Sequence, residues 1–293
     1  MSSSTAFVPA EPSEPASVPA TADSRTFGRA FGDLAAGWRH RQLWGHLGWQ
    51  DIKQRYRRSV LGPLWITISM AVTAVALGLL YSTLFGQEPG FFLPYVTVGF
   101  IVWGFISGCV NEGAEVFIAN EGLIKHLPAP ISVHVFRLVW RQTLFFVHNL
   151  AVYLVMIAIF WRHLTVSGSV LLAIPAFGLL MLNGGWVALL VGIVSTRFRD
   201  IPPVTQSVVT LMFFMTPIVW VYDQLLDDPR TAARARFVEV NPFLHYVEII
   251  RRPMLGQSFE AKHWIVVAVL TVAGWLVALL FLRNYRARVS YWV

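Results

Sequence analysis

Residues 59–87 read SVLGPLWITISMAVTAVALGLLYSTLFGQ and contain no Asp, Glu, Lys or Arg. A transmembrane helix needs about 20 consecutive, predominantly apolar residues, so this run is long enough to cross a bilayer. The segment directly before it, residues 51–58, reads DIKQRYRR and carries four cations. Cations beside an apolar run are typical of the cytoplasmic end of a membrane helix. The two segments together predict a membrane protein whose first span begins at a cationic hinge.

The rest of the chain repeats this apolar character. Hydrophobic residues make up 56% of the 293 residues and charged residues only 13%, which is too apolar for one or two soluble domains. Six charge-free runs are long enough to span: residues 59–87, 89–111, 142–161, 163–196, 201–222 and 263–282. The sequence therefore predicts an all-α integral membrane protein with six transmembrane helices.

The distribution of Lys and Arg predicts the orientation. Sixteen of the 23 cations lie in the N-terminal arm, in the loops after spans two and four, and in the C-terminal tail. An excess of cations marks the cytoplasmic side, so we expect a multi-pass protein of the plasma (inner) membrane with both termini in the cytoplasm. The net charge of +7 is explained by contact with anionic membrane lipids, and it requires no nucleic acid.

Three regions follow along the chain. Residues 1–24 are rich in Ser, Pro, Ala and Glu and lack Lys and Arg, so we expect a disordered tail. Residues 25–62 carry apolar side chains at helical spacing, which predicts an amphipathic helix in the cytoplasmic interface. Residues 63–293 form the six-span domain. The apolar side chains at helical spacing in residues 25–62 form one stripe, which consists of Phe27, Phe31, Leu34 and Trp38.

Four motifs resemble one family. DIKQRYRRSVLGPLW (51–65) is similar to the first-helix entry of the membrane subunits of ABC transporters that export bacterial polysaccharides, the O-antigen, teichoic-acid and capsule class. NEGLIKHLPAP (120–130) and TRFRDI (196–201) resemble that family's segments after spans two and four. TPIVW (216–220) followed by NPFLHYVEIIRRPMLG (241–256) resembles its outer segment. The motifs occur in the family's order along most of the chain.

The resemblance implies partners and a coupling site. In this family the insert between spans two and three is a coupling helix that sits in a cleft of a nucleotide-binding ATPase subunit. The matching residues here are Asn120, Leu123, Ile124 and Lys125. The resemblance also implies two ATPase copies, a second copy of this chain, and short re-entrant outer helices between spans five and six, where Asn241 and Arg251 are in register.

The sequence gives separate support for an external energy source. The phosphate-binding pattern GxxxxGK[ST] does not occur in the 293 residues, so we expect ATP and Mg to bind the partner subunit and this chain to carry no cofactor. We also expect no metal and no catalytic residue in this chain, which would then be a transport subunit and not an enzyme.

Aromatic residues are the candidates for a sugar path. The C–H faces of sugar rings stack on aromatic rings, so a lipid-linked polysaccharide could slide along them. The candidates are Tyr81, Phe85, Phe100, Trp103, Phe213, Phe214, Trp220 and Tyr222. Aromatic residues also form the interfacial belts of membrane proteins and face lipid, and this alternative stays open. Arg outnumbers Lys 20 to 3, which is typical of GC-rich genomes and favours a cell-wall galactan among the possible cargoes.

The cationic hinge has two interpretations. Arg55, Tyr56, Arg57 and Arg58 could contact the pyrophosphate of a lipid-linked glycan at the cytoplasmic mouth, or they could only anchor the arm to anionic lipid.

Two other functional classes fit part of the pattern. One is a drug or lipid exporter of the same superfamily, whose first-span entry lacks the RRSVLGPLW type of sequence. The other is a membrane-embedded transferase, for which polar catalytic side chains should cluster near a span end. Only Glu121, His126 and His134 approach such a cluster in the sequence.

Overall fold

The computed structural model describes residues 25–57, 59–62, 64–126, 129–164, 168–227 and 236–293, and these residues are helical with no β-strand. The α-helices are α1 (Phe27–Arg39), α2 (Arg41–Arg55), α3 (Leu64–Leu84), α4 (Pro89–Glu115), α5 (Glu121–His126), α6 (Ser132–Phe160), α7 (Ala173–Arg197), α8 (Ile201–Met215), α9 (Tyr222–Asp227), α10 (Pro242–Met254) and α11 (Ala261–Trp292). Short 3-10 helices cover Ile118–Asn120, Gly168–Leu172 and Arg236–Val240. The predicted tail, 1–24, lies outside the described residues.

Among the residues that the structure describes, five helical segments are long and apolar enough to cross a membrane. They are α3, α4, α6, α11 and the segment Gly168–Arg197, which contains α7. The prediction of an all-helical membrane protein is therefore confirmed in its coarse form. The fifth predicted span differs, because its helix α8 has only 15 residues. At 1.5 Å per residue such a helix covers about 22 Å, which is less than a hydrocarbon core of about 30 Å.

The chain after α8 continues as non-helical backbone inside the protein. Thr216 has extended dihedrals, and the residues from Thr216 to Val219 are buried. The Tyr95 hydroxyl lies 3.4 Å from the Pro217 carbonyl and 3.3 Å from the Trp220 carbonyl, to which it donates. Irregular backbone is tolerated at membrane depth only where protein or water satisfies its polar groups. This segment meets that condition at Pro217 and Trp220, whose carbonyls are paired with Tyr95 although α8 stops early.

Helix α4 forms the centre of the molecule. It packs against α3, α6, α7, α8 and α10, and most of its side chains are buried, whereas α3 is largely exposed. Small residues permit the close approach of α7. A Cβ on Gly113 would lie 2.8 Å from the Ala188 Cα, and a Cβ on Gly184 would lie 2.8 Å from the Cys109 Sγ. Cys109 is a buried free thiol of α4.

The N-terminal helix α1 docks on the protein through its small-residue face. Asp33 is buried, its carboxylate accepts a hydrogen bond from the Ser132 amide at 3.1 Å, and its carbonyl accepts one from the Ser132 hydroxyl at 2.8 Å. The opposite, apolar face remains exposed, with Phe31 and Trp38 more than half accessible. Helix α1 therefore covers the predicted amphipathic stretch. Part of its apolar stripe contacts the protein, because Leu34 packs on the core formed by α6, α7 and α11 and the Trp38 ring centre lies 5.9 Å from that of Phe136.

The first prediction tests the contact between α4 and α7. Gly113→Ala places a methyl group against the backbone of Ala188, which cannot rotate away, so we expect the free energy of unfolding to fall by about 1–3 kcal/mol as in other overpacked cores. Gly104→Ala is the matched control, because it lies on the same helix and its Cβ would meet nothing within 4 Å. Thermal unfolding of the detergent-purified protein measures both. Equal unfolding temperatures for the two variants would contradict the close α4–α7 contact.

Candidate functional site

A cluster of charged side chains joins α2, α4 and α6 near the ends where these helices approach α5. We call this end of the molecule the α5 end. Arg137 of α6 donates from its Nε to Asp51 of α2 at 2.8 Å and from a second nitrogen to the other oxygen of the same carboxylate. Its remaining terminal nitrogen donates to the Asn120 side-chain carbonyl at 3.1 Å. The guanidinium of Arg137 thus connects residues 25–62, which we call the N-terminal arm, with the segment that leads into α5.

Arg141 extends this cluster by one helical turn. It donates to Asp51 at 2.7 Å and also binds Glu112 of α4. Glu112 receives a further hydrogen bond from the Gln142 amide at 2.8 Å and lies 3.7 Å from the guanidinium of Arg55. We call Arg55, Asp51, Glu112, Arg137 and Arg141 the charge network.

The charge network keeps the Asp51 carboxylate ionised. Burial raises the pKa of Asp51, but the hydrogen bonds and positive charges of Arg137 and Arg141 together outweigh burial, and the pKa lies below its ordinary value. A cavity of about 290 Å³ borders the network, and Arg55, Glu112, Asn120, Arg137 and Arg141 line part of it. The α5 end therefore contains the charge network and a polar cavity beside it.

The four predicted coupling residues lie together at this end but differ in exposure. Leu123 is 37% exposed, and Lys125 is exposed and paired with Glu121 at 2.6 Å. Ile124 is half-buried and packs on the core formed by α6, α7 and α11. Asn120 is also half-buried, and besides accepting from Arg137 it donates to the Val116 carbonyl at 2.8 Å. Leu123 and Lys125 are thus available to a partner, whereas Asn120 and Ile124 fix the segment to the chain.

The predicted hinge residues lie where α2 ends. Arg55 is the last residue of α2 and is half-exposed, with its guanidinium 5.6 Å from the centre of the Phe145 ring. Tyr56 is half-buried and Arg57 is exposed. Arg58 and Pro63 lie outside the described residues. The chain then turns at Gly62, whose φ of 54° is in the left-handed region that favours glycine.

Four of the eight predicted aromatic residues form one cluster between α4 and α8. Phe213 contacts Phe100, Trp103 and Phe214, with ring centres 5.7, 5.8 and 5.3 Å away. Phe214 is 63% exposed, whereas Trp103 is buried. We call Phe100, Trp103, Phe213 and Phe214 the aromatic cluster.

The other four aromatic candidates lie elsewhere. Tyr81 and Phe85 stack on each other near the end of α3, with ring centres 5.6 Å apart. Trp220 and Tyr222 follow α8, and Tyr222 is buried. Sequence reasoning missed Phe243 of α10, whose ring centre is 5.5 Å from that of Trp103. Its position in the NPF motif was visible, but nothing local in the sequence indicates that α10 folds back onto α4.

The two predicted outer residues have structural partners. Asn241 accepts from the Phe243 amide at 3.0 Å and donates to the Thr216 hydroxyl at 2.9 Å, so it caps α10 and holds the end of α8. Arg251 is fully buried, with its guanidinium carbon 3.9 Å from the centre of the Tyr95 ring and a nitrogen 3.2 Å from Glu248. Arg251 is shielded from water because α10 folds onto α4 and covers it.

Comparison with known proteins identifies the family. The family model for ABC-2 type transporters matches residues 42–255, which is more than half of the chain. The chain belongs to the ABC-2 type transporter family. The matched region contains the charge network, α5, the aromatic cluster and the buried Arg251. The family resemblance carried by the four motifs is thereby confirmed.

Individual relatives are similar at low identity over most of their length. An O-antigen export system permease protein RfbA of Myxococcus xanthus is 24% identical over 199 residues, which cover 67% of this chain and 73% of the relative. Two proteins of the same name from Klebsiella pneumoniae are 25% identical over 178 residues, covering 60% and 68%, and 21% identical over 229 residues, covering 77% and 86%.

Sequence reasoning did not identify the charge network. Asp51 was visible as the single acid within a cationic segment, and Arg137 and Arg141 as a one-turn pair on α6. Residues one turn apart share a helix face, so both could have been expected to meet one acid. The identity of that acid depends on how α2 packs against α6, which the sequence pattern does not specify.

The second prediction concerns Arg137. Lysine keeps the charge but cannot donate two parallel bonds to Asp51 and a third to Asn120, so Arg137→Lys should lower the free energy of unfolding by about 1–3 kcal/mol. The arm should also become more sensitive to limited proteolysis. Arg39→Lys, at an exposed position of α1, is the control. Unchanged unfolding and unchanged cleavage of the arm would refute this role of Arg137.

Proposed function

We propose that this chain is the channel-forming membrane subunit of an ATP-driven exporter that moves a lipid-linked polysaccharide out of the cytoplasm. The observation that carries the proposal is the family match over residues 42–255, together with the similarity of the chain to O-antigen export permeases. A drug or lipid exporter and a transferase are not favoured by these relatives.

The proposed orientation places the α5 end in the cytoplasm. The arm, α5, the loop after α7 and the C-terminal end of α11 all lie at this end, and they contain most of the cations of the chain. The fifth crossing would then consist of α8 and the segment 216–221, and α9 and α10 would be the short outer helices that dip back toward α4. This arrangement gives six crossings in total.

The coupling helix is proposed to be α5 with the short 3-10 helix before it. An ATPase subunit would contact the exposed Leu123 and Lys125, and each of two ATPase copies would meet one copy of this chain. Movement of α5 would reach the arm through Asn120, Arg137 and Asp51, which form a continuous set of hydrogen bonds. ATP and Mg would be held by the ATPase subunit.

The sugar path is proposed to run along the outside of α8 and α3 and to be closed by a second copy of this chain. The centre of a single copy is filled by α4, so a path as wide as a sugar cannot run through it. Phe214, from the aromatic cluster, is exposed on α8, and among the described residues α3 buries only Ala74, Gly78 and Ser82. A second copy facing these helices would enclose an aromatic wall on which sugar rings can slide.

The overall proposal is tested by purification from native membranes. We expect an ATPase subunit and a lipid-linked glycan to copurify with the chain and to be identified by mass spectrometry. Depletion of the chain should leave the lipid-linked glycan on the cytoplasmic leaflet. Copurification without any ATPase subunit, or depletion without a change in surface glycan, would contradict the proposed function.

The third prediction tests α5. Leu123→Asp places a charge in the interface with the ATPase, and burying an unpaired charge should weaken association by roughly a hundredfold or more. Thermal unfolding of the chain itself should stay unchanged, because Leu123 is already part-exposed. Leu43→Asp is the control, since Leu43 of α2 is 40% exposed and lies outside α5. If the ATPase copurifies equally with both variants, α5 is not the coupling helix.

The fourth prediction distinguishes a substrate contact from a lipid anchor at the hinge. The ion pair of Arg55 with Glu112 is long and half-exposed, so it contributes little to stability and leaves the guanidinium available. If Arg55 grips a pyrophosphate with two parallel hydrogen bonds, Arg55→Lys should reduce glycan export at least about tenfold, while Arg57→Lys changes it little. Export is measured in the native host at matched membrane levels. Equally small effects at both positions would leave the hinge as an anchor.

A further inference from the structure

An open cleft of about 720 Å³ lies at the α5 end between the last turns of α7 and α11. Its rim carries Arg197 from α7 and Arg288 and Tyr291 from α11. Its wall continues along both helices through the apolar side chains of Val194 and Phe281. The cleft thus has a cationic mouth and an apolar interior that follows two candidate membrane spans.

The two arginines at the rim are held by aromatic rings and not by acids. The guanidinium carbon of Arg197 lies 5.7 Å from the centre of the Trp292 ring, and that of Arg288 lies 6.0 Å from the centre of the Tyr285 ring. In the described part of the chain neither arginine forms an ion pair with a carboxylate, and none of the described residues that line the cleft is acidic. By contrast, Arg286 on the same helix lies 3.6 Å from Asp33.

These features match one class of ligand. Guanidinium groups bind phosphate through paired, charge-assisted hydrogen bonds, and stacking on a ring restrains the guanidinium without neutralising it. Trp and Tyr side chains favour the headgroup level of a bilayer, and anionic lipids concentrate near cytoplasmic cations. An apolar wall beside the cations provides a surface for an acyl chain, which a soluble anion would not need.

We propose that this cleft binds an anionic phospholipid of the cytoplasmic leaflet, with its phosphate between Arg197 and Arg288 and an acyl chain along Val194 and Phe281. The position of the cleft in that leaflet rests on the orientation given under the proposed function. The bound lipid holds the end of α7 against the end of α11. Arg199, in the loop that leads to α8, donates to the Trp292 carbonyl at 3.3 Å. Because this bond joins the loop to the end of α11, a lipid that holds α11 in place also stabilises the start of α8.

The experiment counts lipids on the full chain. The protein is purified in detergent, incubated with phosphatidylglycerol or with phosphatidylcholine, and analysed by native mass spectrometry. We expect retention of phosphatidylglycerol by the unmodified protein, and at least about tenfold weaker retention by the double variant Arg197→Gln and Arg288→Gln. Phosphatidylcholine should be retained poorly by both proteins.

Arg162→Gln is the matched control. Arg162 also lies over a ring, 5.3 Å from the centre of Trp161, but at the opposite end of α6. The Arg162→Gln variant should retain phosphatidylglycerol as well as the unmodified protein does. If the double variant cannot be purified, the two single Gln variants are compared with Arg162→Gln in the same assay, and each is expected to retain less lipid.

Three outcomes would overturn the lipid site. The first is equal retention of phosphatidylglycerol by the double variant and the Arg162→Gln control. The second is complete displacement of the lipid by an equal concentration of inorganic phosphate, which would mean that the acyl wall contributes nothing. The third is a double variant that keeps the lipid but loses the ATPase subunit, which would assign the cleft to protein docking. Lipid retention in detergent requires neither an ATPase nor a glycan, so it can succeed or fail independently of the proposed function.

Discussion

The hydrogen bonds from Arg137 to Asp51 and Asn120 join three parts of the molecule at one side chain. Asp51 belongs to the arm, Arg137 to α6, and Asn120 to the segment before α5. The carboxylate and the guanidinium are both mostly shielded from water, with about one sixth of each side chain exposed. Removing one partner of a shielded ion pair leaves the other charge uncompensated, which costs about 3–5 kcal/mol. The Arg137 side chain therefore joins the arm, α6 and the segment before α5, and Arg141 adds a second bond to Asp51 and the link to α4 through Glu112.

The helices divide into a packed interior and a set of exposed ones. Glycine and alanine at the α4–α7 contact allow the backbones to touch, so α4 is enclosed by its neighbours. Helix α3 and much of α8 keep large apolar side chains exposed. In a bilayer such surfaces are stable against lipid, because lipid tails are as apolar as leucine. Exposure alone thus does not destabilise these helices, and it leaves them free to meet a second copy of the chain.

The sequence predicted the helical class and most spans because hydrocarbon imposes a length and a composition that are visible residue by residue. Residues 201–222 were misleading, since they are free of charges throughout but α8 stops at Met215. Two residues distant in sequence pair the backbone at this stop: Tyr95 donates to the Pro217 and Trp220 carbonyls, and Asn241 donates to the Met215 carbonyl. The segment 120–130, for which we propose the coupling role, was selected from its motif. Which of its side chains face outward, Leu123 and Lys125, is set by packing against α6, α7 and α11 and could not be read from the motif.

The buried Arg251 constrains how the outer end can move. Its positive charge is balanced within α10 by Glu248. Its planar face lies on the ring of Tyr95 in α4, and Gly99 makes space for the guanidinium because it has no side chain. Pulling α10 away from α4 would strip a charged group of its ring contact before water could replace it. We therefore expect α4 and α10 to behave as one rigid body throughout a transport cycle. A passage can then widen only by movement of α3 and α8, because their contacts with α4 and α10 are mostly apolar and permit sliding.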